Sequence, residues 1–181
     1  AKAKAEGTYT GYFKINEDYY CLDSEGKPQT GEITLTVNGE SNFPAAEAAT
    51  AEEFAGRLQQ YGDHFWLLWE GERLLAFVDG FCTDWPDLTD EMYADASLHR
   101  ENGAWQMIFG VNTIPACRRQ GYAGQLLQQA IADARAQGRK GLVLTCKEAL
   151  VHYYAKFGFV NEGVSGSTHG GVVWYQMRLK F

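Results

Sequence analysis

Arg118-Arg119-Gln120-Gly121-Tyr122-Ala123-Gly124 is the stretch of this chain best equipped for chemistry. It lies between an apolar run, Met107 to Val111, and an amphipathic run that begins at Ala123, which reads as strand, tight loop, helix. Gly121 lets the backbone turn with no side chain in the way. The loop amides and the unpaired N–H groups that open a helix then form a cradle for an anion, and Arg118 and Arg119 add positive charge. Such a cradle suits a pyrophosphate. A dinucleotide fingerprint would need three spaced glycines after an early strand, and a P-loop would need Lys-Ser or Lys-Thr after the glycine. Neither pattern is present.

The bulk numbers narrow the field. The 181 residues suffice for one domain with a substantial core and a small appendage. Apolar residues make up 45% and aromatics 14%, too many for a disordered chain. No apolar run reaches the length of a membrane span, so no membrane partner is expected. The net charge of −7 argues against nucleic acid, whose phosphates need a basic surface, and is compatible with a cationic small substrate. Cys21, Cys82, Cys117 and Cys146 form no C-x-x-C pair, so no metal site is expected. Cys82 and Cys146 sit in apolar, strand-like segments and read as small core residues. Ala1 to Glu6 lacks the apolar core of a signal peptide. A reducing, cytoplasmic setting is the expectation.

The elements that must position the loop follow from periodicity. Residues 1–42 read as a separate β-hairpin segment. Tyr9, Tyr12, Phe13, Tyr19 and Tyr20 alternate with polar residues, Asp23 to Pro28 is a turn cluster, and Ile15-Asn16-Glu17-Asp18 is echoed by Val37-Asn38-Gly39-Glu40. Residues 43–181 read as one α+β domain. Thr50-Ala51-Glu52-Glu53 is a capping box for a helix to Tyr61. Phe65–Trp69 and Arg73–Phe81 are strands joined by a turn at Glu70-Gly71-Glu72. Asp79 to Glu101 is an acidic excursion with a short helix over 90–96. Trp105–Val111 is the central strand. Ala123, Leu126, Leu127, Ala130, Ile131 and Ala134 mark the buried face of a helix that Gly138 ends. A strand over 141–145, a helix over 150–157 stopped by Gly158, and a terminal pair of strands over 159–162 and 172–179 complete the mixed sheet.

The R-x-x-G-x-A spacing from Arg118 resembles the acetyl-CoA motif of the GNAT N-acetyltransferases, and the element order over 43–181 is similar to a GNAT domain. Within that family, three further segments resemble the arylalkylamine (serotonin) N-acetyltransferase branch. They are Leu88-Thr89-Asp90-Glu91 followed by Leu98-His99, Leu144 to Val151, and Tyr153-Tyr154-Ala155-Lys156-Phe157-Gly158-Phe159. The resemblance implies a mixed central sheet flanked by helices, with the central strand splayed from its neighbour. It implies acetyl transfer from acetyl-CoA to a primary amine, with the pantetheine arm along Val111, Asn112 and Thr113. The pyrophosphate would rest on Arg118, Arg119, Gln120, Gly121, Tyr122, Ala123 and Gly124. Tyr154 matches the tyrosine that serves as general acid toward the departing thiolate. A phenol with a pKa near 10 can donate at neutral pH.

The general base departs from the branch, because Met107 and Phe109 stand where two histidines would relay the amine proton. Glu47, before the first helix, and His169, on the loop joining the terminal strands, are the candidates to hold the ammonium or take its proton. Each reads equally as a solvated loop residue. His152 reads as lying on another face of its helix, and His64 as a strand-entry residue. Asp79, Asp84, Asp87, Asp90, Glu91, Asp95 and Glu101 would form an acidic rim that concentrates cations. Trp85, Met92 and Tyr93 would offer a wall for an aromatic amine.

The front of the domain departs too. Ile33–Val37 is the one segment able to serve as its opening strand, with almost no room for a following helix. The hairpin segment either replaces those elements or completes the fold from another copy in a homodimer. Over residues 7–42, Gly11-Tyr12-Phe13, Tyr19-Tyr20, Asp23, Gly26-Lys27 and Thr30-Gly31 resemble one choline- or glucan-binding cell-wall repeat, which would imply a weak wall or glycan contact. The leading expectation is an acetyl-CoA-dependent N-acetyltransferase of a small primary amine, an arylalkylamine or polyamine, acting by direct attack in a ternary complex. The alternatives are a protein or peptide amine acetyltransferase, and a wall-binding protein with an inactive GNAT-like domain.

Overall fold

The computed structural model describes Ala49, residues 51–71 and 73–181, and ahead of these five short strands. Strands β1 (Tyr12–Ile15), β2 (Asp18–Leu22) and β3 (Pro28–Gln29) form one antiparallel sheet. Strands β4 (Thr36–Val37) and β5 (Glu40–Ser41) form another. Of the expected opening strand Ile33–Val37, the described part is Thr36–Val37, which pairs with Glu40–Ser41.

From α1 (Ala51–Tyr61) onward the chain builds a six-stranded sheet. A 3-10 turn at Gly62–His64 leads into β6 (Phe65–Glu70) and β7 (Arg73–Thr83), an antiparallel pair. The acidic excursion folds into α2 (Glu91–Ala94) and a 3-10 turn at Ala96–Leu98. Then come β8 (Trp105–Thr113), α3 (Tyr122–Ala136), β9 (Gly141–Cys146), α4 (Glu148–Ala155), β10 (Val160–Val164) and β11 (Tyr175–Lys180). The sheet order is β10-β11-β9-β8-β7-β6. Only the β8–β9 pair is parallel among these ladders. Two parallel neighbours need a long crossover, and α3 supplies it.

Period-2 alternation sorts the two faces. Trp66, Val78, Ile108 and Leu144 turn toward α3, meeting Leu126, Leu127, Ala130 and Ala134. Phe65, Phe81, Met107 and Val143 turn the other way, toward Leu58 and Tyr61 of α1 and Met92 of α2. Burying a side chain as completely as Leu127 contributes about 2 kcal/mol. Trp66 ties β6 to α3 by donating from Nε1 to Asp133 Oδ2 at 2.7 Å. Gly138, with φ 73°, follows α3 and turns the chain out of it. Among the described residues no helix is long and apolar enough to cross a membrane.

Candidate active site

The sheet opens where the chemistry is expected. The parallel ladder between β8 and β9 runs from Trp105–Gly141 to Ile108–Leu144 and stops there. Gly110 to Thr113 stay paired with β7 alone, while Thr145 and Cys146 are held by Gln176 and Tyr175 of β11. A gap thus separates β8 from β9, and one row of β8 backbone groups borders it. The register between β7 and β8 shifts at the same level. Asp79 opposes Gly110 and Gly80 opposes Ile108, leaving Phe109 as the extra residue of a β-bulge. Both glycines are dictated by close approach. A Cβ at Gly80 would strike the Met107 carbonyl, and one at Gly110 would strike the Asp79 carboxylate.

The anion loop lies beyond the open end of β8. Gly121 has φ 86° and stands at the N-cap of α3 with no side-chain cap, a conformation that glycine adopts without penalty. Arg119 has φ 64°, the one positive value outside glycine among the described residues, and such strain gathers at functional turns. Gln125 donates to Gly121 O at 3.0 Å, so the helix ladder starts only there. The amides of Tyr122, Ala123 and Gly124 precede it and lack helical acceptors. Arg118 Nε is directed to Thr113 O at 3.3 Å, which ties the loop to the end of β8. Gly124 faces Phe157 and Tyr153 of the α4 region so closely that a Cβ would stand 3.1 Å from the Phe157 ring.

Tyr154 sits beneath this opening. It is 6% exposed and belongs to the core cluster of Ile108 and Cys146, with Val111, Tyr122 and Tyr153 packed against it. Burial pushes its phenol well above the usual tyrosine range, and the neighbouring Cys146, Tyr153 and Tyr93 reinforce the shift. The proton therefore stays on the oxygen at neutral pH. Burial also raises the Cys146 thiol to about 11, which withholds the thiolate that a covalent mechanism would need.

His169 opens a 3-10 turn at His169–Gly171 between β10 and β11. Its ring stacks on Tyr93 at 5.4 Å and 12°. Tyr93 in turn meets Phe109 at 4.8 Å and shares a 3.0 Å hydrogen bond between its hydroxyl and Thr145 Oγ1. Since Thr145 is the first β9 residue past the end of the β8–β9 ladder, His169 is carried to the same gap as Tyr154 through Tyr93. Asp90 fixes this loop by accepting from Ser167 Oγ at 2.5 Å and the Thr168 amide at 2.9 Å. Glu47 lies outside the described residues.

Beneath the bulge Asp79, expected in the exposed acidic rim, is buried instead, against Arg57, which the sequence did not single out. Arg57 Nη1 reaches Asp79 Oδ2 at 3.2 Å, and the two side chains are 7% and 1% exposed. Arg57 Nη2 donates to Tyr93 O at 2.9 Å, and the guanidinium lies 5.3 Å from the Phe109 ring. Burial raises the Asp79 carboxyl above the ordinary range, against the opposing pull of Arg57 and the Gly110 amide. That amide points at the carboxylate without meeting the geometry that would satisfy Oδ1, which stays without a partner among the described residues.

A family profile described as "Acetyltransferase (GNAT) family" matches residues 34–159. The chain belongs to the GNAT acetyltransferase family. A serotonin N-acetyltransferase of Mesocricetus auratus is 31% identical over 110 residues, covering 60% of this chain and 52% of that protein. The chain thus spans about half the length of that curated relative. Two solved structures share the fold. One is the GphF GNAT-like decarboxylase in complex with isobutyryl-CoA, with TM-score 0.65, 17% identity, and 76% of this chain and 88% of that one covered. The other is the loading GNATL domain of CurA from Lyngbya majuscula, with TM-score 0.65, 14% identity and 77% and 87% covered.

Within the GNAT frame the two positions expected to hold histidines carry apolar side chains. Met107 is fully buried in the α1-side core, and Phe109 is the bulge residue packed between Phe81 and Tyr93. The acidic rim is largely consumed internally. Asp87 and Glu162 pair with Arg178 at 2.5 and 2.8 Å, Asp84 accepts from the Ala104 amide at 3.0 Å, and Asp95 caps Ser97 at 2.9 Å. A cleft of about 350 Å³ lined in part by Asp87, Asp90, Glu162 and Gln176 opens beside β10, not in the β8–β9 gap. His64 is buried and directs Nδ1 at Gln106 Oε1 at 2.9 Å. His99 accepts from the Cys82 amide at Nδ1, so its proton sits on Nε2 and faces Glu101 at 3.2 Å. His64 Nε2 lies 3.1 Å from the same Glu101 oxygen, so His64, His99 and Glu101 gather three potential ligand atoms within 4.8 Å of one another.

Proposed function

We propose that this GNAT protein transfers an acetyl group from acetyl-CoA to a small primary amine, an arylalkylamine or a polyamine, by direct attack in a ternary complex. The observation that carries this reading is the end of the β8–β9 ladder at Ile108–Leu144, with the αL Gly121 loop beyond one strand and Tyr154 below the gap. A thioester arm laid along Val111, Asn112 and Thr113 would take the backbone bonds that β9 no longer makes. Its pyrophosphate would meet the amides of Arg119 to Gly124 at the positive end of α3. The thioester carbonyl, held beside the bulge, would then have a β8 N–H to stabilise the developing oxyanion and a fixed distance to the amine.

The neutral amine attacks the thioester carbon, the C–N bond forms and the nitrogen releases a proton to water, the C–S bond breaks, and Tyr154 gives its proton to the departing sulfur and is reprotonated from solvent. The raised Tyr154 and Cys146 both favour this course over an acyl-enzyme. The aromatic surface of Tyr93, Phe109 and His169 supports an aryl group on the acceptor, as does the partial likeness to a serotonin N-acetyltransferase. Residues 1–42 are a separate segment in this account, and a cytoplasmic site of action fits the three reduced cysteines, Cys82, Cys117 and Cys146.

The test is steady-state acetyl-CoA turnover against tryptamine, phenylethylamine, spermidine and a lysine peptide. Turnover of the first three well above the peptide is expected. Preference for the peptide would assign the site to protein amines. Coenzyme binding with no turnover of any amine would point to an inactive domain serving a wall or glycan contact through residues 7–42.

A further inference from the structure

Three polar atoms with no partner among the described residues, Arg57 Nε, Tyr61 Oη and Asp79 Oδ1, lie together on the α1 side of the bulge. Their residues are 6%, 2% and 1% exposed. Buried polar atoms are almost always satisfied, and orphans that cluster mark an ordered water or a working group. Here the cluster sits against the reacting strand. Asp79 is the ladder partner of Gly110, the Tyr61 ring lies 6.4 Å from Phe109, and Arg57 covers the same ring at 5.3 Å. Arg57 also holds the Tyr93 carbonyl, and Tyr93 stacks on His169 at the mouth of the gap. An ion pair, a backbone hydrogen bond and a ring stack thus link Asp79 through Arg57 and Tyr93 to His169.

We propose that Asp79, with Tyr61 and a water bridging their orphaned oxygens, is the buried acceptor that takes the proton of the substrate ammonium, in place of the histidines this chain lacks. This rests on the acetyltransferase reading above. The proton balance is simple. The ammonium loses one N–H proton through the water to the Asp79 carboxylate, which becomes a carboxylic acid and later returns the proton to solvent. The freed amine attacks, the nitrogen releases its second proton to water, and Tyr154 gives its proton to the departing thiolate and is reprotonated from solvent. Asp79 is a positioning residue in the strict sense, since it acts through water.

The groups that face Asp79 shape its proton affinity. Arg57 and Tyr61 come from α1, Tyr93 from α2, and the Gly110 amide from β8. Burial raises the Asp79 carboxyl above the usual carboxylate range, and the Arg57 guanidinium beside it and the Gly110 amide oppose that rise.

The experiment compares two amines, tryptamine and trifluoroethylamine, in the wild-type chain and in Asp79→Asn and Tyr61→Phe. Tryptamine is an ammonium at neutral pH, whereas trifluoroethylamine is already the free base. At neutral pH, Asp79→Asn is expected to lower kcat/KM for tryptamine about 100-fold or more and for trifluoroethylamine only a few-fold. The tryptamine deficit should shrink as pH rises toward the ammonium pKa. Tyr61→Phe, which removes only a hydroxyl, should show the same selectivity at smaller amplitude, and it decides the matter if Asp79→Asn fails to fold. Equal losses for both amines, or no loss for tryptamine, would overturn the relay and leave the acetyltransferase reading standing. A wild-type protein that turned over neither amine would overturn both.

Discussion

Asp79 and Gly110 oppose one another across the β7–β8 ladder, and the Asp79 carboxylate occupies the space that a side chain at Gly110 would need. The bulge, the buried ion pair and the opening of the sheet are therefore one construction. Gly110→Ala forces the carboxylate away from Arg57 or the strand away from β7. It should cost about 1–3 kcal/mol, in the range for overpacking a core, measured by urea denaturation. Arg57→Leu should cost more, about 3–5 kcal/mol, because it leaves a buried carboxylate without its cation.

Tyr154→Phe keeps the ring among Ile108, Cys146 and Phe159 and removes only the acid. Turnover should fall about 100-fold or more, with acetyl-CoA affinity unchanged within a factor of about two or three. Stopped-flow turnover beside equilibrium binding separates the two quantities. Unchanged turnover would remove Tyr154 from the transfer step.

His169→Phe preserves the stack on Tyr93 while deleting both ring nitrogens. If the imidazole handles the amine's proton, kcat/KM should fall and its pH profile should change shape. If His169 only builds the aromatic wall, an aryl amine should be acetylated at close to the wild-type rate, while His169→Ala raises its KM. The wall role is the outcome expected here, because Asp79 is assigned the proton.

Three buried phenols set an alkaline limit on stability. Burial raises the proton affinity of Tyr61, Tyr93 and Tyr154 in the fold, Tyr93 to about 12. A group whose folded pKa exceeds its unfolded one stabilises fully below the unfolded value and loses that contribution as pH climbs through the folded one. Stability should thus be insensitive to these groups up to about pH 10, the unfolded tyrosine value, and fall steeply above it. Thermal unfolding across that range checks the sign. A rise in Tm above pH 10 would contradict it.

Local signals carried much of this architecture. Leu126, Leu127, Ala130 and Ala134 at helical spacing, closed by Gly138, foretold α3 within a residue or so at each end. The αL glycine before α3 and the helix that carries Tyr154 were legible as structure because their motifs are contiguous. Arg57 and Asp79 were not, since 22 residues separate them and Asp79 reads in sequence as the first member of an acidic run. Only the bulge, which turns its carboxylate inward against Gly110, distinguishes it from Asp84 or Asp87 on the surface. His64 read correctly as a strand-entry residue directly before β6, but its partner at Nδ1, Gln106, lies 42 positions away and was not legible. Gly80 and Gly110 flanking an aromatic residue's neighbourhood were the available hint of a bulge.

The central claim is that coenzyme A lies along the open edge of β8 and ends on the loop that starts α3. Hydrogen–deuterium exchange with and without acetyl-CoA addresses it directly. Protection should appear over Phe109 to Gly124 and be lost in Gly121→Val, whose side chain the φ of 86° disfavours. Unaltered exchange over that segment at saturating acetyl-CoA, or protection confined to another part of the sheet, would contradict the account.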